Sequence, residues 1–140
     1  MPRNQRDFTY DNATLLKAAG AVTADGAAPI VLNLGDGLMD ARVIVDVSSI
    51  TTGGAAGETY AISAQFSDSA TFASGVVGGA TIRLGAAAGL PGESAASIAG
   101  RYELAISNQI NGTVYSYMRL YTDVAGTAPS INFTAYLVTR

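Results

Sequence analysis

The chain has 140 residues, a formal net charge of −3, and no His, Cys or Trp. A domain of this length can bury a sizeable core without cross-links, and the missing Cys and His exclude disulfide frameworks, thiolate zinc sites and Ser-His-Asp triads. Ala and Gly supply much of the chain, so its positive mean hydropathy reflects small side chains rather than a core of large ones. This composition indicates a globular protein that is not an enzyme.

Targeting and charge patterns narrow the set of partners. Residues 1–7 are polar and lack the apolar stretch of a secretory signal, and no run approaches the roughly 18 apolar residues of a membrane helix. The 8 basic residues are scattered along the chain. Because nucleic-acid-binding proteins concentrate Lys and Arg to neutralise phosphates, we expect neither nucleic acid nor a membrane as a partner.

The chain begins with a polar arm and one weak helix signal. Residues 1–13 are interpreted as a short extended N-terminal arm, and residues 14–140 as a single domain. Residues 12–19 could form one or two helical turns before Gly20.

Strand signals dominate the rest. Residues 41–51 alternate, with Val43, Val45 and Val47 on one face and Ile44 among the residues of the other. Strands are predicted at 29–34, 41–51, 60–67, 76–77, 81–84, 101–107, 113–122 and 130–138. A type II turn is predicted at 90–93 and a hairpin turn at Asn111–Gly112. About eight strands with long loops predict an all-β fold, a jelly-roll-like two-sheet β-sandwich.

The apolar face of these strands predicts the core. Its members are Val43, Val45, Val47, Ile62, Phe66, Leu104, Ile106, Met118, Leu120, Phe133 and Leu137.

Carboxylates are the one group that could carry catalysis. Asp36 and Asp40 lie close in sequence, and Glu58, Glu93 or Glu103 could complete a glycosidase pair. Asp36 lies between two glycines, which favours a turn over catalysis or a loosely bound cation, and no Asp-x-Asp-x-Asp calcium spacing occurs. We therefore expect no catalytic residue, no cofactor and no metal.

The strand at 113–122 carries the most informative surface pattern. Val114, Met118 and Leu120 share one face, so the opposite face should point outward. That face holds Tyr115, Tyr117, Arg119 and Tyr121. Tyr and Arg are enriched at interface hot spots, which makes these four residues interface candidates. Two other interpretations stay open: a neighbouring loop or sheet covers them, or they form a platform for stacking sugars.

The arm supplies a second set of interface candidates: Arg3, Arg6, Phe8 and Tyr10. Such a segment is too short and polar to fold alone, so it is either a passive tail or a segment that orders on docking.

The whole chain also carries a resemblance. It has an Arg/Asn/Gln-rich arm followed by 8–13, the valine strand at 41–47, and the strand at 60–67. The C-terminal strands at 101–108 and 132–138 complete the pattern. In length and strand order the chain resembles the capsid cement (decoration) proteins of short-tailed bacteriophages.

The resemblance implies a jelly-roll sandwich that forms a homotrimer on the outer surface of the virion head. Such a protein is made in the bacterial host cytoplasm and clamps neighbouring major capsid protein subunits. Two other functions remain open: a carbohydrate- or receptor-binding module of a fibre or tail tip, and a small β-sandwich enzyme.

Overall fold

A computed structural model describes residues 14–53, 57–90 and 92–139. Six strands of eight to eleven residues form the body of the molecule, and shorter strands flank them. The strands are β1 (Leu15–Lys17), β2 (Ala21–Val22), β3 (Gly26–Ala27), β4 (Leu32–Asn33), β5 (Asp40–Ile50), β6 (Thr59–Ser67), β7 (Val77–Gly85), β8 (Gly100–Ser107), β9 (Gln109–Ile110), β10 (Thr113–Val114), β11 (Tyr117–Ala125) and β12 (Ile131–Thr139). A 3-10 turn, Ala87–Gly89, follows β7.

Ten of the described strands build two antiparallel sheets packed face to face, and β9 and β10 pair only with each other. The first sheet has the order β1-β12-β5-β8, and the second has the order β3-β11-β6-β7. The pairs β1·β12, β3·β11, β5·β8 and β6·β7 are nested in sequence, as in one long hairpin folded over itself. This nesting of eight principal strands is the jelly-roll order. The prediction of an all-β, two-sheet sandwich is confirmed.

The core lies between the two sheets and follows the predicted alternation. Ten of the eleven expected core residues are buried, among them Phe66 and Phe133 with no exposed surface. The exception is Leu104, which is only half-buried because it lies on β8, at an edge of the first sheet.

One buried polar contact links the sheets at the end where β6 begins. Tyr60 is the second residue of β6 and is 1% exposed. Its hydroxyl donates to the Thr51 carbonyl at 2.7 Å and accepts the Ser130 N–H at 2.8 Å. Because these two residues follow β5 and precede β12, the contact fixes the second sheet against the first.

Several local predictions are wrong in their bounds. The helical turns expected at 12–19 are replaced, within the described residues, by β1, where Leu16 is buried in the core and backbone pairing with β12 decides the conformation. Only Leu32–Asn33 of the apolar run 29–34 is a strand, since this is where it pairs with β11. The strands expected at 76–77 and 81–84 are one strand, β7, because it pairs with β6 on both sides of a register shift.

Ile44 faces away from the core, as the alternation of β5 predicts, but it is buried. It lies on the outer face of the first sheet, yet it has no exposed surface. In the register it lies between Tyr136 and Glu103, whose longer side chains flank it.

Both predicted turns are confirmed. Asn111 and Gly112 have φ of 51° and 83° and join β9 to β10. Gly92 has φ of 80°, and the Glu93 N–H donates to the Leu90 carbonyl at 3.0 Å, as a type II turn requires.

Candidate interaction face

The second sheet presents a face of large polar side chains because β11 alternates. Met118 and Leu120 point into the core and are buried. Tyr117, Arg119 and Tyr121 point to the opposite side of the sheet and are half-buried. We call these three residues the tyrosine–arginine face. β11 lies in the middle of its sheet, so its backbone is held from both sides.

The neighbouring strands place small side chains beside the two tyrosines. The register partners are Ser67 and Asn33 for Tyr117, and Ser63 and Ala27 for Tyr121. Each partner is shorter than tyrosine, so the two rings are the largest groups in their rows. The face therefore combines two aromatic rings with a polar surround, the composition typical of protein interfaces.

Arg119 is fixed in place between the two tyrosines. Its Nε–H donates to Gln65 Oε1, directly across on β6, at 2.8 Å. Its guanidinium carbon lies 4.3 Å from the centre of the Phe72 ring, a cation–π contact. The side chain is thereby ordered before any partner arrives, which lowers the entropy lost on binding.

Phe72 reaches Arg119 through an unusual loop. The loop joins β6 to β7, and Phe72 has φ of 56°, which is costly for a bulky residue. Its N–H donates to the Ser69 carbonyl at 3.1 Å, and the ring is 7% exposed. The expectation that a loop covers part of this face therefore holds for Arg119.

Two carboxylates, Asp123 and Asp25, lie close together beyond Tyr121, near the end of β11. Asp123 is in one row with Ala61 and Arg83 across the second sheet. Asp25, in the turn before β3, accepts the Val124 N–H at 2.7 Å. The negative charge of Asp25, and then the hydrogen bond that protonated Asp123 donates to Asp25, raise the pKa of Asp123, while the positive charge of Arg83 lowers it.

Tyr115 does not share the tyrosine–arginine face. The strand expected over 113–122 is interrupted after β10, and Tyr115 packs against the hydrophobic core. Its backbone is held by Asn108, whose carbonyl accepts the Tyr115 N–H and whose Nδ2 donates to the Tyr115 carbonyl. The prediction that Tyr115 points outward with the other three is wrong for this reason.

Asn108 is itself a buried polar hub that sequence reasoning missed. It is 0% exposed, and its side chain also donates to the Gly37 carbonyl and accepts the Met39 N–H. It therefore joins the loop before β5 to the segment before β11. A signal was present in the sequence, since an amide directly after an apolar strand and before a hairpin is a common way to cap backbone groups.

Lys17, the only lysine in the sequence, is a second buried polar residue that binds several backbone carbonyls. Its Nζ donates to the carbonyls of Ala18, Gly20 and Phe133 at 2.8–2.9 Å and lies 4.4 Å from the centre of the Phe133 ring. Burial lowers the pKa of this amine. All three ammonium hydrogens have acceptors, so Lys17 fastens β1 to β12 and presents no free charge to a ligand.

The carboxylates expected as glycosidase candidates are distributed over the molecule. Asp40 begins β5 at one end of the sandwich, and Glu58 lies buried at the other, just before β6. Glu103 lies on the outer face of the first sheet. Among the described residues, no group of three or more carboxylates could hold a metal ion.

The remaining interface candidates, Arg3, Arg6, Phe8 and Tyr10, lie outside the described residues. Within the described part of the chain, no helix is long and apolar enough to cross a membrane.

Neither a protein-family model nor a curated protein matches this chain.

Proposed function

We propose that this chain is a virion structural protein that binds the outer surface of a bacteriophage head and cements the major capsid protein shell. It is made in the host cytoplasm and acts as a homotrimer without cofactor or metal. Two features support this proposal: the resemblance of the sequence to phage cement proteins, and the jelly-roll order of its strands, an architecture common in viral capsid proteins.

The tyrosine–arginine face is the observation that carries the proposal. Two tyrosines and a fixed arginine lie on a central strand of the second sheet, so the arginine is held in place before binding. Such anchors supply most of the binding energy of protein interfaces. A partner that binds only the assembled shell stabilises that shell by mass action, and several contacts per oligomer add avidity.

Binding to undecorated heads of the phage that encodes the chain tests this proposal. The variant Tyr117→Ser with Tyr121→Ser removes both rings and leaves the Arg119–Phe72 contact in place. We expect it to fold and to bind heads at least tenfold more weakly than the native chain. Tyr136→Ser, on the outer face of the other sheet, is the matched control and should bind normally. Cryo-EM of the virion should show the native chain on the outside of the head; density without it would contradict the proposal.

A carbohydrate- or receptor-binding role for the virion is the second candidate, and the same two tyrosines favour it. Aromatic rings beside hydroxyl and amide groups can stack on a sugar and bond its hydroxyls. Binding of the native chain to a glycan array, lost in the double tyrosine variant and accompanied by no affinity for heads, would select this function instead.

A further inference from the structure

The long edges of the two sheets differ in how they are protected. An unpaired edge strand exposes N–H and C=O groups that can pair with another chain, and natural proteins blunt such edges with bulges, short strands, lysine or proline. One edge of the first sheet is formed by β1, which has three residues and a register shift. The corresponding edge of the second sheet is formed by the two-residue strands β3 and β4.

On the opposite side of the sandwich the edge strands are β7 and β8. β7 contains Gly78 and Gly79, and its pairing with β6 is shifted between Ser63 and Gln65. β8 is neither short nor bulged, and its two charged residues, Arg101 and Glu103, have opposite signs. It pairs with β5 over eight residues, Gly100–Ser107, without a shift, and it contains neither proline nor lysine. Among the described edges, β8 is the long and regular one.

The charges along β8 alternate in a way that fits a second copy of the same strand. Arg101 donates to both carboxylate oxygens of Asp46 on β5, at 2.8 and 3.3 Å. Two residues on, Glu103 pairs with Arg42 at 3.5 Å. Both residues lie on the outer face of the first sheet, and Arg101 keeps 47% of its side chain exposed.

We propose that β8 pairs with β8 of a second copy of this chain, antiparallel and about a two-fold axis at Tyr102. In this register Arg101 lies opposite Glu103 of the second copy, and Glu103 opposite its Arg101. The row across the joined sheets then runs from Asp46 and Arg101 of one copy to Glu103 and Ile44 of the other, and Arg42 contacts Glu103 diagonally from its own strand. A contact about a two-fold axis requires such self-complementarity, because every pair of facing residues occurs twice, once in each direction.

The apolar surface beside β8 supports the same contact. Ile98 is 74% exposed, the largest exposure among the large hydrophobic residues of the described chain. It lies two residues before β8, and the Tyr102 hydroxyl donates to its carbonyl at 2.7 Å. Antiparallel pairing brings this end of the strand against the Ser107 end of the second copy, where Ile98 would be covered. The contact uses a different surface from the tyrosine–arginine face and does not depend on binding to heads. Because it is two-fold, it joins copies from different trimers and is not the contact that closes the proposed homotrimer.

Two charge reversals test the register. Arg101→Glu creates a chain with two acidic residues at these positions, and Glu103→Arg creates a chain with two basic ones. Each variant alone sets like charges opposite each other twice, so we expect its self-association to weaken at least tenfold. In an equimolar mixture the two variants face each other with opposite charges. Native mass spectrometry should then show mixed pairs far above the statistical share.

A control separates this result from a general effect of charge or of folding. Arg83→Glu makes the same change on β7, and mixing it with Glu103→Arg should give no preference for mixed pairs. Recovery of association on mixing also shows that the variants are folded. The proposal is wrong if the native chain forms no β8-dependent pairs, if either variant associates as the native chain does, or if the mixture contains no excess of mixed pairs. None of these readouts involves heads, so the outcome is independent of the proposed cementing function.

Discussion

The Arg119 guanidinium stacks on the ring of Phe72, a residue held at a φ of 56° in the loop between β6 and β7. The contact joins a central strand to a strained loop. A double-mutant cycle with Arg119→Met and Phe72→Leu measures its contribution to stability. We expect a coupling free energy of about 0.5–1 kcal/mol in urea unfolding, the range of exposed to partly buried cation–π pairs. Strictly additive effects of the two substitutions would show that the contact contributes nothing.

Two adjacent glycines of β7 should respond differently to the same substitution. A Cβ at Gly79 would lie 2.6 Å from the Phe66 ring, which is buried and cannot move aside, whereas a Cβ at Gly78 meets nothing within 4 Å. Gly79→Ala should therefore lower the free energy of unfolding by about 1–3 kcal/mol through overpacking. Gly78→Ala should be neutral or slightly stabilising. Equal effects in chemical denaturation would contradict the packing of β7 on Phe66.

The amide of Asn108 can be tested without changing its size. Asn108→Asp replaces a nitrogen that donates to the carbonyls of Gly37 and Tyr115 with an oxygen. Two buried carbonyls then lose their donor and face a carboxyl group, so we expect a loss of at least about 2 kcal/mol in the free energy of unfolding. Asn33→Asp is the matched control, because Asn33 is exposed and its side-chain oxygen, which the substitution keeps, accepts the Gly35 N–H. If both variants unfold at the same temperature, Asn108 does not hold these segments together.

Asp123 should make stability depend on acid pH. Its pKa is raised above the ordinary value of 3.8, mainly by the charge of Asp25. The folded state therefore holds this proton more tightly than the unfolded state, and the associated stability is present below 3.8 and lost as pH rises through the folded pKa.

Asp123→Asn removes the repulsion between the two carboxylates. We expect the variant to melt at a higher temperature than the native chain at neutral pH and at the same temperature near pH 3, below the ordinary carboxyl pKa. Asp36→Asn, an equal charge change in an exposed loop, should show no such difference. A gain for Asp123→Asn that is equal at both pH values would exclude the carboxylate pair as its cause.

The arm hypothesis concerns residues 1–13 and predicts a salt effect. If Phe8 and Tyr10 are anchors and Arg3 and Arg6 contact acidic capsid surface, deletion of residues 2–10 should weaken binding to undecorated heads. Binding by the intact chain should fall with added salt and change little between about pH 6 and 8, because arginine does not titrate there and the chain has no His. Equal binding by the truncated and intact chains would make the arm a passive tail.

Alternation of apolar residues predicted most of the sandwich, because each long strand buries one face. Positions such as Val45 and Leu120 could be assigned to the core from their spacing alone. The pattern could not show that Ile44 is buried on the outer face, because that burial depends on the strands beside it. It also could not show that the strand expected over 113–122 breaks at Tyr115. The strand breaks there because the backbone of Tyr115 is hydrogen-bonded to Asn108. Asn108 is near Tyr115 in sequence, but it carries no periodic signal.

The tyrosine–arginine face was predictable in part. Tyr117, Arg119 and Tyr121 follow from their spacing on one strand. Phe72 does not, because it reaches Arg119 through a loop and a rare backbone conformation that no local pattern announces. The pairing of Gln65 with Arg119 depends on the register between β6 and β11, which the spacing along one strand does not give.

The nested pairing of the strands also sets the order in which the molecule can fold. β6 and β7 are close in sequence and can form a hairpin early, whereas β12 enters the middle of the first sheet, between β1 and β5, more than 80 residues after β5 ends. Closing such long loops is slow, because their entropy is lost before the pairing is gained. During synthesis on the ribosome, β5 therefore cannot pair with β12 until β12 has been made. The first sheet, with its Lys17 and Ile44 contacts, is completed after the second sheet has begun to assemble.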